Sequence, residues 1–115
     1  MKEAKAIKFC KDWKKLNDRV FITVRWTDTH YAEGTVLPII INNREFCGWK
    51  KQVGYGQILF TVTTQLYRLL NDNFTEYDAE CSVEEYYNMM KKWYGRKPDW
   101  KKQQSIVQIV GVQKL

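Results

Sequence analysis

Arg19-Val20-Phe21-Ile22-Thr23-Val24-Arg25-Trp26 is the stretch whose reading decides the fold. Aromatic and β-branched residues dominate it, and side chains on a strand alternate between faces. Phe21, Thr23 and Arg25 therefore point one way, and Val20, Ile22, Val24 and Trp26 the other. The wholly apolar set predicts the core-facing side. A hydroxyl and a guanidinium on the opposite face mark a candidate site, because arginines rarely sit on inner strand faces without a partner.

Upstream of this strand, Ala6-Ile7-Lys8-Phe9 predicts a short strand, followed by a short helix whose buried stripe is Trp13 and Leu16. Asn17-Asp18 ends that helix, since both residues tolerate left-handed backbone. Downstream, Tyr31-Ala32-Glu33-Gly34 predicts a turn and Val36–Ile41 a strand. Asn42-Asn43 then predicts a tight hairpin with positive φ leading into Phe46-Cys47. The segment from Gly48 to Gly56 holds three glycines, two lysines and two aromatic residues and predicts a mobile loop. Ile58–Tyr67 predicts a long strand with Ile58, Phe60, Val62 and Leu66 on one face.

One helix is strongly signalled. Ser82 and Glu85 form a capping box, and Val83, Tyr86, Met90 and Trp93 recur at helical spacing. Gly95 supplies the stop before Pro98. Ser105–Val112 is apolar on both faces and predicts a central strand. This order of elements predicts an α+β domain over residues 1–115, a small β-barrel of about five to six strands with two flanking helices.

Hydrophobic residues make up 44% of the 115 residues and aromatics 15%, which fits a packed globule with some rings left at the surface. Cys10, Cys47 and Cys81 are odd in number and widely spaced, with only His30 as a nitrogen ligand. That pattern argues against a disulfide framework or a zinc site, and neither metal nor cofactor is expected. No apolar run approaches the ~18 residues of a membrane span, so a soluble, cytoplasmic protein is expected. The net charge of +6 is uneven: residues 1–25 carry +5, residues 26–90 carry −5 and residues 91–115 carry +6. Two basic ends that meet would form a face suited to a polyanion, and a merely solvated surface is the alternative.

Several short stretches together resemble the ASCH domains, a PUA-like group of small β-barrels associated with RNA. Ile22-Thr23-Val24-Arg25 is similar to the family's T-x-R strand. Tyr31-Ala32-Glu33-Gly34-Thr35-Val36-Leu37 resembles its aromatic-x-x-G turn, and Gly56-x-Ile58 through Val62 the strand that follows. The capped helix and the closing strand fall in the family's order. The resemblance implies a barrel that binds RNA or a nucleotide. In the small ASCH amidohydrolases, which deacylate acetylated cytidine, a lysine, a threonine and a glutamate surround the cleft. Thr23 matches the threonine, Val20 stands where the lysine should be, and Asp78, Ala79 and Glu80 fall near the glutamate. Lys14, Lys15, Lys50 or Lys51 remain to supply an amine from elsewhere.

The expected cleft centres on Thr23 and Arg25. Arg25 either clamps a phosphate or carboxylate through its planar fork or pairs with Asp28 or Glu33 as a strut. Thr23, Arg25 and Glu80, with Asp78, are the candidate catalytic residues. Trp26, Tyr31, Trp49 and Tyr55 flank the expected cleft, with Lys50 and Lys51 between two of them; Trp26 is expected to belong to the core, and Trp49 and Tyr55 are kept as candidates. A second aromatic and basic cluster runs from Trp93 and Tyr94 through Lys97, Trp100, Lys101 and Lys102, with Trp93 expected in the core. Rings interleaved with cations suit single-stranded nucleic acid, because bases stack while phosphates are neutralised. An RNA- or nucleotide-binding domain is thus expected first. An enzyme acting on a modified nucleoside or RNA, or a regulator binding a small ligand or protein, are the alternatives.

Overall fold

The computed structural model describes residues 2–43, 49–95 and 106–115. Among them are seven strands: β1 (Lys2–Glu3), β2 (Ile7–Phe9), β3 (Val20–Trp26), β4 (Thr29–His30), β5 (Val36–Asn43), β6 (Trp49–Gln65) and β7 (Ile106–Lys114). Two α-helices, α1 (Asp72–Ala79) and α2 (Val83–Tyr94), and single 3-10 turns at Lys14–Asn17 and Leu66–Leu69 complete the α+β architecture. Five strands form one curled sheet in the order β2-β5-β6-β7-β3, and β1 pairs with β4 in a small second sheet. The result is a half-barrel with two flanking helices, in agreement with the expected fold class.

The spine of the sheet is β6, whose first half pairs with β5 and whose second half pairs with β7. Most of the stretch expected to be a mobile loop is therefore strand. Two bulges let one strand serve both neighbours by bending it. At the first, Ile39 pairs with Gly54 while Ile40 pairs with Gln52, leaving Val53 extra, and Gly54 takes the positive φ of 128° that this bend requires. At the second, Ile58 pairs with Val112 and Phe60 with Gly111, leaving Leu59 extra. Gly56 admits close packing here, since a β-carbon on it would lie 2.5 Å from Val112 Cγ1 and 3.2 Å from Ile39 Cδ1.

The second bulge also corrects a predicted face. Because side chains alternate, one extra residue exchanges inside and outside. Ile58 is buried at 1% exposure, whereas Phe60 and Val62 turn outward at 37% and 50%, and Leu66 is buried in the 3-10 turn rather than on the strand. Asn42 and Asn43 are likewise not a turn but the end of β5, paired with Lys50 and Trp49. Asn17 lies within the first 3-10 turn and Asp18 is extended at φ −79°, so neither uses left-handed backbone. The tail of α2 ends at Gly95 in right-handed conformation, φ −62°. His30 pairs with Glu3 between β4 and β1.

In β3 the expected core face is only partly right. Phe21 and Thr23 point into the half-barrel at 1% and 4% exposure, while Val20 is 51% exposed. Val24 and Trp26, on the other face, are buried as well because α2 reaches over this end of the strand and Tyr94 stacks on Trp26 at 5.5 Å. As expected, β7 is central, with Val107, Val110 and Val112 fully buried. Its Gln108 side chain donates to the carbonyls of Trp26 and Thr29 at 2.7 and 2.5 Å, so this buried amide is satisfied.

Candidate functional site

The sheet order leaves β2 and β3 as the two edges of the half-barrel. Curling brings them face to face, and Phe9 of β2 meets Phe21 of β3 edge-on at 5.9 Å. Instead of a further strand, the 3-10 turn at Lys14–Asn17 and helices α1 and α2 pack against this open seam. Between them lies a cleft of about 210 Å³ whose walls come from β2, β3, the 3-10 turn and both helices. Thr23 and Arg25, singled out from the sequence, both line it.

The deepest polar element is an ion pair. Trp13 and Leu16 anchor the 3-10 turn in the core, which carries Lys15 inward between them. Its Nζ donates to Asp78 Oδ1 at 2.5 Å and to the Ile22 carbonyl at 3.0 Å. The two side chains are 3% and 9% exposed. The other oxygen of Asp78 accepts from the Tyr86 hydroxyl at 2.7 Å, so both carboxylate oxygens are engaged. Burial pulls the Lys15 amine below the ordinary lysine range, with Asp78 opposing that shift and the nearby Arg25 charge adding to it. Burial also raises the Tyr86 hydroxyl, and the Asp78 charge raises it further.

Glu80 holds the same turn from outside. It caps α1 with left-handed backbone at φ 53°, the only non-glycine positive φ among the described residues. From there Oε2 accepts from the backbone N–H of Lys14 at 3.1 Å. Glu80 does not line the cleft. Its part is to position the turn that carries Lys15, and Asp78, two residues earlier, is the carboxylate that reaches the interior.

Arg25 is half-buried, with its Cζ 4.7 Å from the Phe9 ring centroid, and Lys15 Nζ lies 5.8 Å from the same ring. The Nε of Arg25 is fully buried without a hydrogen-bond partner. It is the one such side-chain atom among the described residues, and a buried donor left unpaired costs about 1–3 kcal/mol. Trp93, expected in the core, instead lines the cleft while 44% exposed.

The structure separates other candidates from this cleft. Trp26 and Tyr31 are core residues, and Lys50, Lys51 and Tyr55 are exposed along β6; none of them lines the cleft. Of Trp49 only the backbone is described, and Cys47, Lys97, Trp100, Lys101 and Lys102 lie outside the described residues. Cys81 is half-buried. Among the described residues no three His, Cys, Asp or Glu side chains gather as a metal site requires, and no helix is long and apolar enough to cross a membrane. Sequence reasoning left Lys15 as one of four lysines able to supply an amine, placed Trp93 in the core and did not single out Lys8, yet all three line the cleft. Lys15 interrupts an apolar stripe without any periodic signal, and the spacing of Trp93 is shared by core residues such as Met90.

Comparison of the chain with protein-family models, curated proteins and solved structures finds no match.

Proposed function

We propose that this is an RNA- or nucleotide-binding domain of the ASCH type, whose cleft receives one group of a single nucleotide unit. The observation that carries the reading is that Arg25, whose Nε is buried without a hydrogen-bond partner, lines an open cleft. A donor in that state suits an acceptor brought by a ligand, as a strut already saturated by a carboxylate would not. At about 210 Å³ the cleft falls below the roughly 300–1,000 Å³ typical of pockets for drug-sized ligands, which suits a part of a nucleotide rather than the whole. Exposed Trp93 offers a flat face for a base, a contact worth about 1–3 kcal/mol per base. The resemblance in the order of strands and turns supports the same class.

Titration with short single-stranded RNA and with mononucleotides tests this. Binding is expected at low salt, weakening steeply as salt rises, and Arg25→Gln is expected to weaken it by about tenfold or more. Absence of binding at low salt refutes the reading.

A specific observation favours amide hydrolysis on an acylated nucleoside as a second reading. Val20 removes the amine from its family position, yet Lys15 brings one into the cleft that Thr23 lines. A threonine hydroxyl needs a neighbouring base to become a nucleophile, and an amine whose proton affinity is lowered by burial suits that role. Acetate release from acetylated cytidine should then require both Thr23 and Lys15. Turnover that survives Thr23→Ala excludes it.

A further inference from the structure

We propose that the cleft is a seat for a dianionic phosphate monoester, held by Arg25 with Lys8 at its rim; this rests on the nucleotide-binding reading above. Among the described residues three cations line the cleft, Lys8, Lys15 and Arg25, against a single carboxylate, Asp78. Asp78 neutralises Lys15, and its other oxygen accepts from the Tyr86 hydroxyl, so Arg25 and Lys8 are left without a carboxylate partner among the described lining residues, in a site walled by aromatic rings. Cations in such surroundings gain most from a counter-ion that also accepts hydrogen bonds. A phosphate monoester carries about −1.5 to −2 near pH 7 and presents three strong acceptor oxygens. An internal phosphodiester carries one negative charge and would leave a cation unmatched, and a neutral base would leave both. The group is also small enough for the cleft, which leaves the base outside near Trp93.

The other groups around the seat give a clean pH signature. Cys10 lines it from beyond β2, Thr23 from β3 and Tyr94 from α2. Burial holds the Tyr94 hydroxyl in its neutral form well past pH 7, with the Arg25 charge opposing that shift. Asp28 acts on Tyr94 but does not line the cleft, and no histidine does. A response near pH 6 therefore belongs to the second ionisation of the ligand itself.

Calorimetric titrations with cytidine, cytidine 5′-monophosphate, inorganic phosphate, and a short RNA with either a 5′-phosphate or a 5′-hydroxyl test the proposal. The monophosphate is expected to bind about tenfold or more tighter than cytidine at about pH 7.5, with the gap narrowing at about pH 5.5 as the dianion takes up a proton. Arg25→Gln should shrink the gap. Lys8→Glu, at an exposed position that burdens folding little, should shrink it too. A preference for the 5′-phosphorylated RNA over the mononucleotide assigns the seat to an RNA end, and the reverse preference assigns it to a free nucleotide. Equal affinity for cytidine and its monophosphate overturns the phosphate seat while leaving nucleotide binding intact. Binding of inorganic phosphate alone, with the same pH profile, supports the seat and removes the nucleotide reading. Failure of every probe to bind overturns both.

Discussion

Lys15 and Asp78 share a buried contact whose energetic meaning depends on what is taken away. Together they satisfy each other, the Ile22 carbonyl and the Tyr86 hydroxyl. Separately, each leaves a charge in a place where water cannot reach it. Lys15→Met is expected to destabilise the protein by about 3–5 kcal/mol, read as a lower denaturant midpoint, and Asp78→Asn by a similar amount. The double variant should cost less than the two losses added together, because neither partner then stays charged alone. Thr23 and Arg25 were legible in the sequence because alternation along one strand needs no knowledge of neighbours. Lys15 was legible only as one of four lysines able to supply an amine, since a lysine in a short turn looks solvent-facing until Trp13 and Leu16 are seen to draw the turn inward.

At the scale of elements, β6 shows why local pattern misled. Glycine-rich, basic residues 49–56 read as a loop because glycine carries an entropic cost in a strand. Pairing with β5 overcomes that cost, and the glycines serve a bulge at Gly54 and close packing at Gly56. Gly111 on β7 follows the same logic, for a β-carbon there would overlap the Phe60 ring that lies across it. Gly111→Ala is expected to cost about 1–3 kcal/mol, measured by chemical denaturation. A simultaneous Phe60→Leu change should recover part of that loss by removing the ring. Helix α2 was legible from its capping box, and the box is present, with Ser82 Oγ accepting from the Glu85 N–H at 3.2 Å. Helix α1 was not among the expected elements, although the Asn71 side chain caps it by accepting from the Phe74 N–H at 3.0 Å.

Across the whole molecule, ionisable groups shut away by folding set the response to alkali. Burial raises the hydroxyls of Tyr77, Tyr86 and Tyr94 above their ordinary 10.0 and the Cys81 thiol above 9.0, so the folded state keeps protons that the unfolded chain releases there. Stability from these groups is present below those ordinary values and falls as pH rises through them. Lys15 works in the opposite sense: its amine is lowered from 10.5, the unfolded chain binds the extra proton, and stability gains as pH climbs toward that value. Among the described residues four groups oppose one, so unfolding followed by circular dichroism should show net destabilisation above about pH 10, and a rise in stability there would contradict it. By itself the sequence determined the strands β2, β3 and β7, the capped helix, the α+β class and the pairing of Thr23 with Arg25, because these follow from periods of 2 and 3.6 along a short stretch of chain. Only the tertiary structure decided that β2 and β3 face each other across an open seam, that Lys15 and Asp78 meet 63 residues apart within it, and that the Arg25 Nε is left without a partner. Those outcomes depend on how a bulged sheet curls, and curvature is a property of the assembled strands rather than of any one of them.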